Sequence, residues 1–187
     1  EAAAPYGLYY APDPSSQIAC TIGGNVAENS GGVHCLKYGL TVHNVMRVRA
    51  CTIDGEIVEF GNEALDAPGL DLLALMVGSE GMLAVATEIT VKLITPNPRT
   101  QMLVMFLHNT ADLAHIVNEV LKDKPESFES YDDNTLKLSL KYFPEFAHQL
   151  GIKGLILSGL AFLPAFLQML IGKLPKLILQ IDFTGND

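Results

Sequence analysis

The apolar positions in the first half of the chain are spaced mainly as they are in β-strands. Residues 41–60 hold two runs rich in valine and isoleucine on either side of Asp54-Gly55, and this dipeptide between strand-prone runs predicts a β-hairpin. Residues 71–78 predict a short helix, and residues 79–94 end in an alternation that predicts a half-buried strand. The first half is therefore predicted to be rich in strands.

The spacing changes after the turn-forming sequence Thr95-Pro96-Asn97-Pro98. The elements predicted beyond it are, in order, a strand over 101–107, a helix over 111–122 with Thr110 as its N-cap, a strand at SFESYDD, a helix over 134–149 and a strand over 176–183. Strands that alternate with helices predict a layered α+β structure. We therefore place a domain boundary between residues 98 and 99.

An uncharged segment, residues 154–172, interrupts this pattern with the sequence GLILSGLAFLPAFLQMLIG. Its length is compatible with a membrane span, but Pro164 in its middle and the polar Gln168 argue against that interpretation. A monotopic contact with the membrane surface and a helix pair buried in the protein or against a partner are the other interpretations. The sequence alone leaves the three open.

Composition narrows the classes of protein to consider. The 187 residues suffice for one domain or for parts of two, and 49% of them are apolar, which is compatible with a packed core. The formal net charge of −9 disfavours nucleic acid as a partner. Three cysteines without a Cys-x-x-Cys pair encode neither a zinc ribbon nor an iron–sulfur cluster, and we predict no metal site.

Residues 18–32, IACTIGGNVAENSGG, contain four glycines, two asparagines and no basic residue. Glycine lets the backbone approach a ligand closely, and consecutive amides can form a concave nest that binds a diphosphate without lysine or arginine. A short helix is predicted within the loop, around residues 25–29. Neither the P-loop nor the Rossmann glycine pattern is present. From the residues alone, a phosphate cradle and two structural double-glycine turns are both consistent with the sequence.

Two long motifs give the chain a family resemblance. The first runs APDPSSQIACTIGGNVAENSGGVHCLKYGLTVHNV from Ala11, and the second runs PGLDLLALMVGSEGMLAVATEITVKL from Pro68. Both resemble the FAD-linked oxidases of the vanillyl-alcohol-oxidase type, in the branch of glycolate oxidase flavoprotein subunits and D-lactate dehydrogenases. The resemblance covers residues 1–98 and implies the second half of a PCMH-type FAD-binding domain. Through SFESYDD and a following helix, residues 99–187 resemble the start of that family's α+β cap domain.

The resemblance implies that three stretches of the chain contact FAD. These are the Asp-Pro-Ser-Ser turn with the first double glycine, the Asn-Val-Ala-Glu-Asn-Ser stretch after it, and the Ser-Glu-Gly turn of the second motif. The implied cofactor-binding residues are Pro14, Ser15, Ser16, Cys20, Thr21, Gly23, Gly24, Asn25, Ala27, Asn29, Ser30, Glu80, Gly81 and Val85. The chain departs from the family at Ala84, where glycine is usual, and at PGLDL, which replaces Thr-Gly-Tyr-Asp-Leu and lacks its tyrosine hydroxyl. A methyl group at residue 84 would crowd the approach of the backbone to FAD.

The resemblance also implies a function. We expect oxidation of a 2-hydroxy acid of the glycolate or D-lactate type by hydride transfer to FAD, with electrons passed to a quinone or an iron–sulfur partner subunit. The expected location is the cytoplasm, or the inner face of the membrane through a peripheral contact of residues 154–172. The alternative is a non-catalytic FAD-binding or membrane-associated interaction subunit.

The family's first glycine-rich loop would precede Glu1, and its substrate- and metal-binding segment would follow Asp187. We therefore expect an internal fragment that is inactive by itself, and no catalytic residue is assigned within it.

Three further candidates keep two interpretations each. His34 is either an attachment point for flavin or an ordinary loop histidine. Lys37-Tyr38 either forms hydrogen bonds near the flavin or has a structural role after a turn. Asp132-Asp133 is either a carboxylate pair for acid–base chemistry or the cap of the following helix.

Overall fold

The computed structural model describes residues 2–62, 69–143 and 175–185. The chain divides into two compact units. Unit 1 comprises Glu1–Gln101, Pro125–Ser127 and Phe183–Asp187, and unit 2 comprises Met102–Lys124 and Phe128–Asp182. The uncharged segment 154–172 lies outside the described residues, as does the end of the helix predicted over 134–149. Among the helices that are described, none is long and apolar enough to cross a bilayer.

Unit 1 is built on a three-stranded antiparallel sheet with the order β2-β1-β3. Its elements are α1 (Ile22–Glu28), α2 (Cys35–Tyr38), β1 (Val45–Thr52), β2 (Ile57–Gly61), α3 (Leu72–Met76) and β3 (Ala84–Val91). The predicted hairpin at Asp54-Gly55 is confirmed, because Gly55 adopts a φ of 80° between β1 and β2. The short helix and the strand predicted between residues 71 and 94 are confirmed as α3 and β3.

The core of unit 1 lies between α1, α3 and one face of the sheet. Its buried members are Val26, Val45, Val48, Ala50, Met76, Val77 and Ala84. The centre of the sheet pairs small residues, since Ala50 of β1 lies opposite Val58 of β2 and Ala86 of β3. These small side chains leave room for α1, whose Val26 is fully buried.

The sequence of α1 explains both of its ends. The Thr21 Oγ1 accepts a hydrogen bond from the Gly24 amide at 3.0 Å, which makes Thr21 the N-cap. Asn29 ends the helix in the left-handed conformation with a φ of 48°, which asparagine tolerates better than most residues. The helix predicted around residues 25–29 is therefore confirmed, but it begins at Ile22.

Unit 2 contains most of a second sheet, with the strand order β4-β6-β5. Its elements are β4 (Arg99–Leu107), α4 (Leu113–Lys122), β5 (Ser127–Asp132), α5 (Asp133–Lys141) and β6 (Leu177–Gly185). Leu179 and Ile181 of β6 are fully buried. The predicted strands and helices of this half are confirmed in type and order, and with the first half they confirm a mixed α+β fold.

Helix caps in unit 2 differ in one place from the expectation. The prediction that Thr110 is the N-cap of α4 was wrong, because the helix begins at Leu113. The Thr110 carbonyl instead accepts the Leu113 amide in the turn before the helix. Asp132 does cap α5, since its Oδ1 accepts the Thr135 amide at 2.8 Å. Hydrogen bonds from the Thr135 hydroxyl and from its amide hold the pKa of Asp132 below its usual value. The amide contact supports the capping interpretation of Asp132-Asp133.

Candidate functional site

A cleft of about 260 Å³ opens in unit 1 between α1 and the start of β3. Its walls come from both long motifs of the sequence, one from the glycine-rich loop and one from the Ser-Glu-Gly turn. The lining residues are Thr21, Gly23, Gly24, Val26, Ala27, Met76, Gly81, Ala84, Val85 and Ala86. No charged side chain belongs to this lining, and six of its members are glycine or alanine. Backbone atoms therefore form much of the wall.

The first double glycine shapes one wall of the cleft. A methyl group built at Gly23 would meet no atom within 4 Å, so this residue leaves open space where other residues would place a side chain. At Gly24 the same methyl group would lie 3.2 Å from the Thr21 Oγ1, close to the capping hydrogen bond. Glycine at both positions keeps the first turn of α1 accessible.

The Ser-Glu-Gly turn forms the other wall and is bound directly to α1. The Glu80 amide donates to the Ala27 carbonyl at 2.9 Å, and the Gly78 amide donates to the Val26 carbonyl at 2.8 Å. Glu80 and Gly81 have φ angles of 54° and 77°, and a left-handed conformation is strained for glutamate. These contacts fix the turn so that Gly81 reaches the cleft.

The second double glycine has a different role. Gly32 forms an isolated β-bridge with Pro14, and a methyl group on Gly32 would lie 1.6 Å from the carbonyl oxygen of Asp13. At Gly31 it would lie 2.8 Å from the Cys35 Sγ and from a Leu40 methyl. Gly31-Gly32 therefore packs the loop against the Asp-Pro-Ser-Ser turn and does not line the cleft. The structural-turn alternative therefore applies to Gly31-Gly32, and a phosphate cradle at Gly23-Gly24 stays a prediction.

The cleft brings together six of the fourteen implied cofactor-binding residues. These six are Thr21, Gly23, Gly24, Ala27, Gly81 and Val85. The other eight, which do not line it, are Pro14, Ser15, Ser16, Cys20, Asn25, Asn29, Ser30 and Glu80. The assignment of all fourteen as FAD contacts stays a prediction.

Three of these eight residues, Asn25, Asn29 and Ser30, form hydrogen bonds that stabilise the glycine-rich loop. The Asn25 amide is buried and donates to the Cys20 Sγ at 3.5 Å, and the Asn29 Oδ1 accepts the Val42 amide at 3.0 Å. The Ser30 carbonyl accepts both the amide and the hydroxyl of Thr41. These contacts explain why polar residues occur here without reaching the cleft.

Val26, Met76 and Ala86 also line the cleft, and they were not among the residues predicted from the sequence. They are ordinary apolar residues of α1, α3 and β3, and only the packing of these elements brings them together. No local sequence signal could have identified them.

The composition of the cleft fits part of a flavin dinucleotide. An uncharged wall of accessible backbone suits a diphosphate, because amide groups bind the anion without a cation, and the apolar residues suit a flat ring. The volume is slightly below the roughly 300–1,000 Å³ usual for small-molecule pockets. The cleft would therefore hold one part of FAD and leave the remainder outside it.

A polar cluster in unit 1, separate from the cleft lining, surrounds Glu126, whose side chain is 7% exposed. One oxygen, Oε2, accepts hydrogen bonds from the Lys37 Nζ at 2.7 Å, from the Tyr38 hydroxyl at 3.3 Å and from the Thr184 hydroxyl. Lys37 also donates to the Thr184 Oγ1, as does the Asn97 amide. We refer to Lys37, Tyr38, Asn97, Glu126 and Thr184 as the Glu126 network.

Ionisation in this network follows from burial and from its hydrogen bonds. Burial opposes the charge on Glu126, but the hydrogen bonds from Lys37 and Thr184 outweigh it and lower the pKa of Glu126. Burial, together with a hydrogen bond to Tyr38, raises the pKa of Tyr9 strongly. Lys37-Tyr38 thus stabilises tertiary structure, as one of its two interpretations predicted.

His34 contacts one backbone carbonyl and one aromatic ring. The His34 Nδ1 lies 3.0 Å from the Ala11 carbonyl and donates to it, and the ring packs edge-on against Tyr38. All three cysteines are free thiols. Within the ranges that the structure describes, no group of His, Cys, Asp and Glu could hold a metal ion.

Sequence comparisons connect this site to known proteins. Residues 1–61 match the family described as FAD binding domain. The glycolate oxidase subunit GlcD of Escherichia coli strain K12 is 51% identical over 150 residues, which are 79% of this chain and 29% of that protein. GlcD of Bacillus subtilis strain 168 is 42% identical over 134 residues, 70% of this chain and 28% of that protein. A D-lactate dehydrogenase of Archaeoglobus fulgidus is 43% identical over 94 residues, 50% of this chain and 21% of that protein. The chain thus matches less than a third of the length of these relatives.

Solved structures show the same fold. Alkyldihydroxyacetonephosphate synthase in its P1 and P212121 crystal forms superposes with TM-scores of 0.72 and 0.73, at 20% and 22% identity. Both comparisons cover 97% of this chain, and they cover 31% and 32% of the synthase. At this identity the likeness concerns the fold alone. The matches confirm the resemblance carried by the two motifs: the chain has the fold of a PCMH-type FAD-binding domain, it is related to FAD-linked oxidoreductases such as GlcD and D-lactate dehydrogenase, and the cofactor they indicate is FAD.

Proposed function

We propose that this chain is part of an FAD-dependent oxidoreductase that oxidises a 2-hydroxy acid of the glycolate or D-lactate type. The observation that carries the proposal is the cleft, because its two walls come from the two motifs that resemble FAD-linked oxidases. The names of the relatives supply the substrate class, since they are glycolate oxidase subunits and D-lactate dehydrogenases.

In this proposal, the residues of the cleft bind and orient the cofactor. Gly23 and Gly24 expose the backbone of α1, and Gly81 brings the opposite wall close enough to hold a ligand between them. Ala84, Val85 and Ala86 line one side with apolar atoms, against which a flat ring can pack. When bound, FAD supplies the two-electron acceptor for the hydride of a 2-hydroxy acid.

The whole protein is proposed to work with a partner. Both GlcD relatives are named as subunits of glycolate oxidase, which supports an assembly with a partner subunit. The proposed route for the electrons is an iron–sulfur subunit or a quinone. The proposed division of labour is an FAD-binding domain over residues 1–98 and a substrate-binding cap domain that begins at residue 99. The proposed location is cytoplasmic or peripheral at the membrane.

Binding of FAD tests the cleft. In the full-length protein freed of cofactor, Gly23→Val would place a branched side chain in the open space, and FAD affinity measured by flavin fluorescence should fall at least about tenfold, or about 1.4 kcal/mol. Glu28→Val is the matched control, because it puts the same residue at an exposed position of α1 outside the cleft. Equal affinity of the two variants would show that FAD does not occupy this cleft.

Substrate oxidation requires a separate measurement. The full-length protein, loaded with FAD, should lose its visible flavin absorbance when mixed anaerobically with glycolate or D-lactate. Retention of the absorbance with every 2-hydroxy acid tried, despite bound FAD, would overturn the proposed activity and leave the FAD site intact.

One observation favours a second candidate, a non-catalytic FAD-binding or membrane-associated interaction subunit. Ala84 lines the cleft, so this wall carries an alanine where the family that the chain resembles usually has glycine. FAD binding without bleaching would select this candidate.

A further inference from the structure

Unit 1 is discontinuous in sequence. It consists of the first 101 residues and two short returns of the chain, Pro125–Ser127 and residues 183–185 of the described part. Each return reaches the Glu126 network through one residue, since Glu126 lies in the first and Thr184 lies in the second. The third segment of the network is α2, which contributes Lys37 and Tyr38.

The three segments converge on one atom. The Glu126 Oε2 accepts donors from α2 and from Thr184, and the Lys37 Nζ bonds to both returning segments at 2.7 Å. Asn97 adds a fourth position of the chain through its 2.9 Å hydrogen bond to the Thr184 Oγ1. The Glu126 side chain is 7% exposed, whereas both partners are at least 35% exposed in each of the pairs Arg47–Glu59, Arg49–Glu88, Lys122–Glu119 and Lys137–Asp133.

A carboxylate buried to this degree is stable only while its donors are in place. Removing one member of a buried ion pair leaves an uncompensated charge, which destabilises far more than the loss of an exposed pair does. We propose that the Glu126 network is a lock that completes unit 1: it fastens residues 125–127 and 183–185 to α2, and these segments open together when the network loses its charges. The proposal does not depend on the proposed function, because no residue of the network lines the cleft.

Hydrogen exchange of the full-length protein tests the lock. In Glu126→Gln, amide exchange over residues 34–38 and 183–185 should accelerate at least about tenfold together. Glu88→Gln is the matched control, because Glu88 forms a 2.8 Å ion pair with Arg49 in which both side chains are exposed. Exchange at residues 34–38 and 183–185 should change less than about twofold in the control.

The order of effects separates a charge lock from ordinary packing. Lys37→Met should accelerate exchange more than Glu126→Gln, because it leaves a buried carboxylate without its cation, and the double variant should be milder than Lys37→Met alone. Thr184→Val removes a single hydroxyl and serves if a charge variant does not fold; it should still accelerate exchange at residues 34–38. Exchange unchanged at either segment in Glu126→Gln, or a double variant worse than both single variants, would overturn the proposal.

Discussion

The contact at Gly32 permits a direct test of the loop that carries the glycine pairs. A β-carbon there would lie 1.6 Å from the Asp13 oxygen, 2.4 Å from its carbonyl carbon and 2.9 Å from the Pro14 Cα. All three are backbone atoms, so no side-chain rotation can relieve the overlap. Gly32→Ala must therefore separate the loop from the Asp-Pro-Ser-Ser turn and break the Pro14–Gly32 bridge.

The magnitude follows from two contributions. Overpacking of a tight contact costs about 1–3 kcal/mol, and loss of the Pro14–Gly32 bridge adds about 1 kcal/mol. We expect Gly32→Ala to lower the free energy of unfolding of unit 1 by about 2–4 kcal/mol in total. Because each 1.4 kcal/mol corresponds to a factor of ten, amides of β1 that exchange by global opening should exchange roughly 30 to 700 times faster.

Gly23→Ala is the matched control within the same loop. Its methyl group meets nothing within 4 Å, and alanine is a better helix former than glycine by about 0.5–1 kcal/mol. This variant should leave β1 exchange unchanged or slower. A Gly32→Ala protein within about 0.5 kcal/mol of the wild type would refute the described contact, and so would a Gly23→Ala protein as unstable as Gly32→Ala.

Three further predictions concern polar contacts. Asn44→Ala should lower the free energy of unfolding by about 2–4 kcal/mol in a denaturation measurement, because the buried Asn44 amide donates to two backbone carbonyls at 2.9 Å that would lose their donor; a loss below about 1 kcal/mol would contradict this. Asp71→Ala should cost α3 about 1 kcal/mol in local exchange, because its carboxylate caps the helix at 2.8 Å; unchanged exchange would show that the cap is dispensable. Glu126, facing Lys37 and Tyr38, has a lowered pKa, so its contribution is fully present above the unfolded value of 4.5 and is lost as the pH falls through the lower folded value. The stability difference between wild type and Glu126→Gln should therefore shrink on acidification below pH 4.5, and a difference independent of pH would disprove the charge's role.

Much of the fold could be predicted from the sequence because its signals are local. Asp54-Gly55 fixes a hairpin through the backbone freedom of one glycine, and alternation places β3 without knowledge of its partners. The N-cap of α4 failed for the same reason: Thr110 has the right chemistry, but Asn109 and Thr110 form a turn before the helix, and that competition cannot be read from residue type.

The parts of the site that could not be predicted depend on long-range contacts. Lys37 and Glu126 are 89 positions apart, and Lys37 and Thr184 are 147 apart. Nothing near Lys37 in the sequence distinguishes a ligand contact from an ion pair with a residue that distant. Met76 and Ala86 reach the cleft for the same reason, through the packing of α3 and β3.

The two double glycines illustrate what sequence alone can decide. Both pairs lie in one fifteen-residue stretch, and each has the backbone freedom that a phosphate cradle or a tight turn requires. What separates them is the neighbour at the missing side chain: open space at Gly23, and the backbone of Asp13 at Gly32. A glycine that faces open space can be kept for a ligand, whereas a glycine that faces backbone is required by the fold. Substitution at Gly23 should therefore affect binding before stability, and substitution at Gly32 should affect stability whether or not FAD is present.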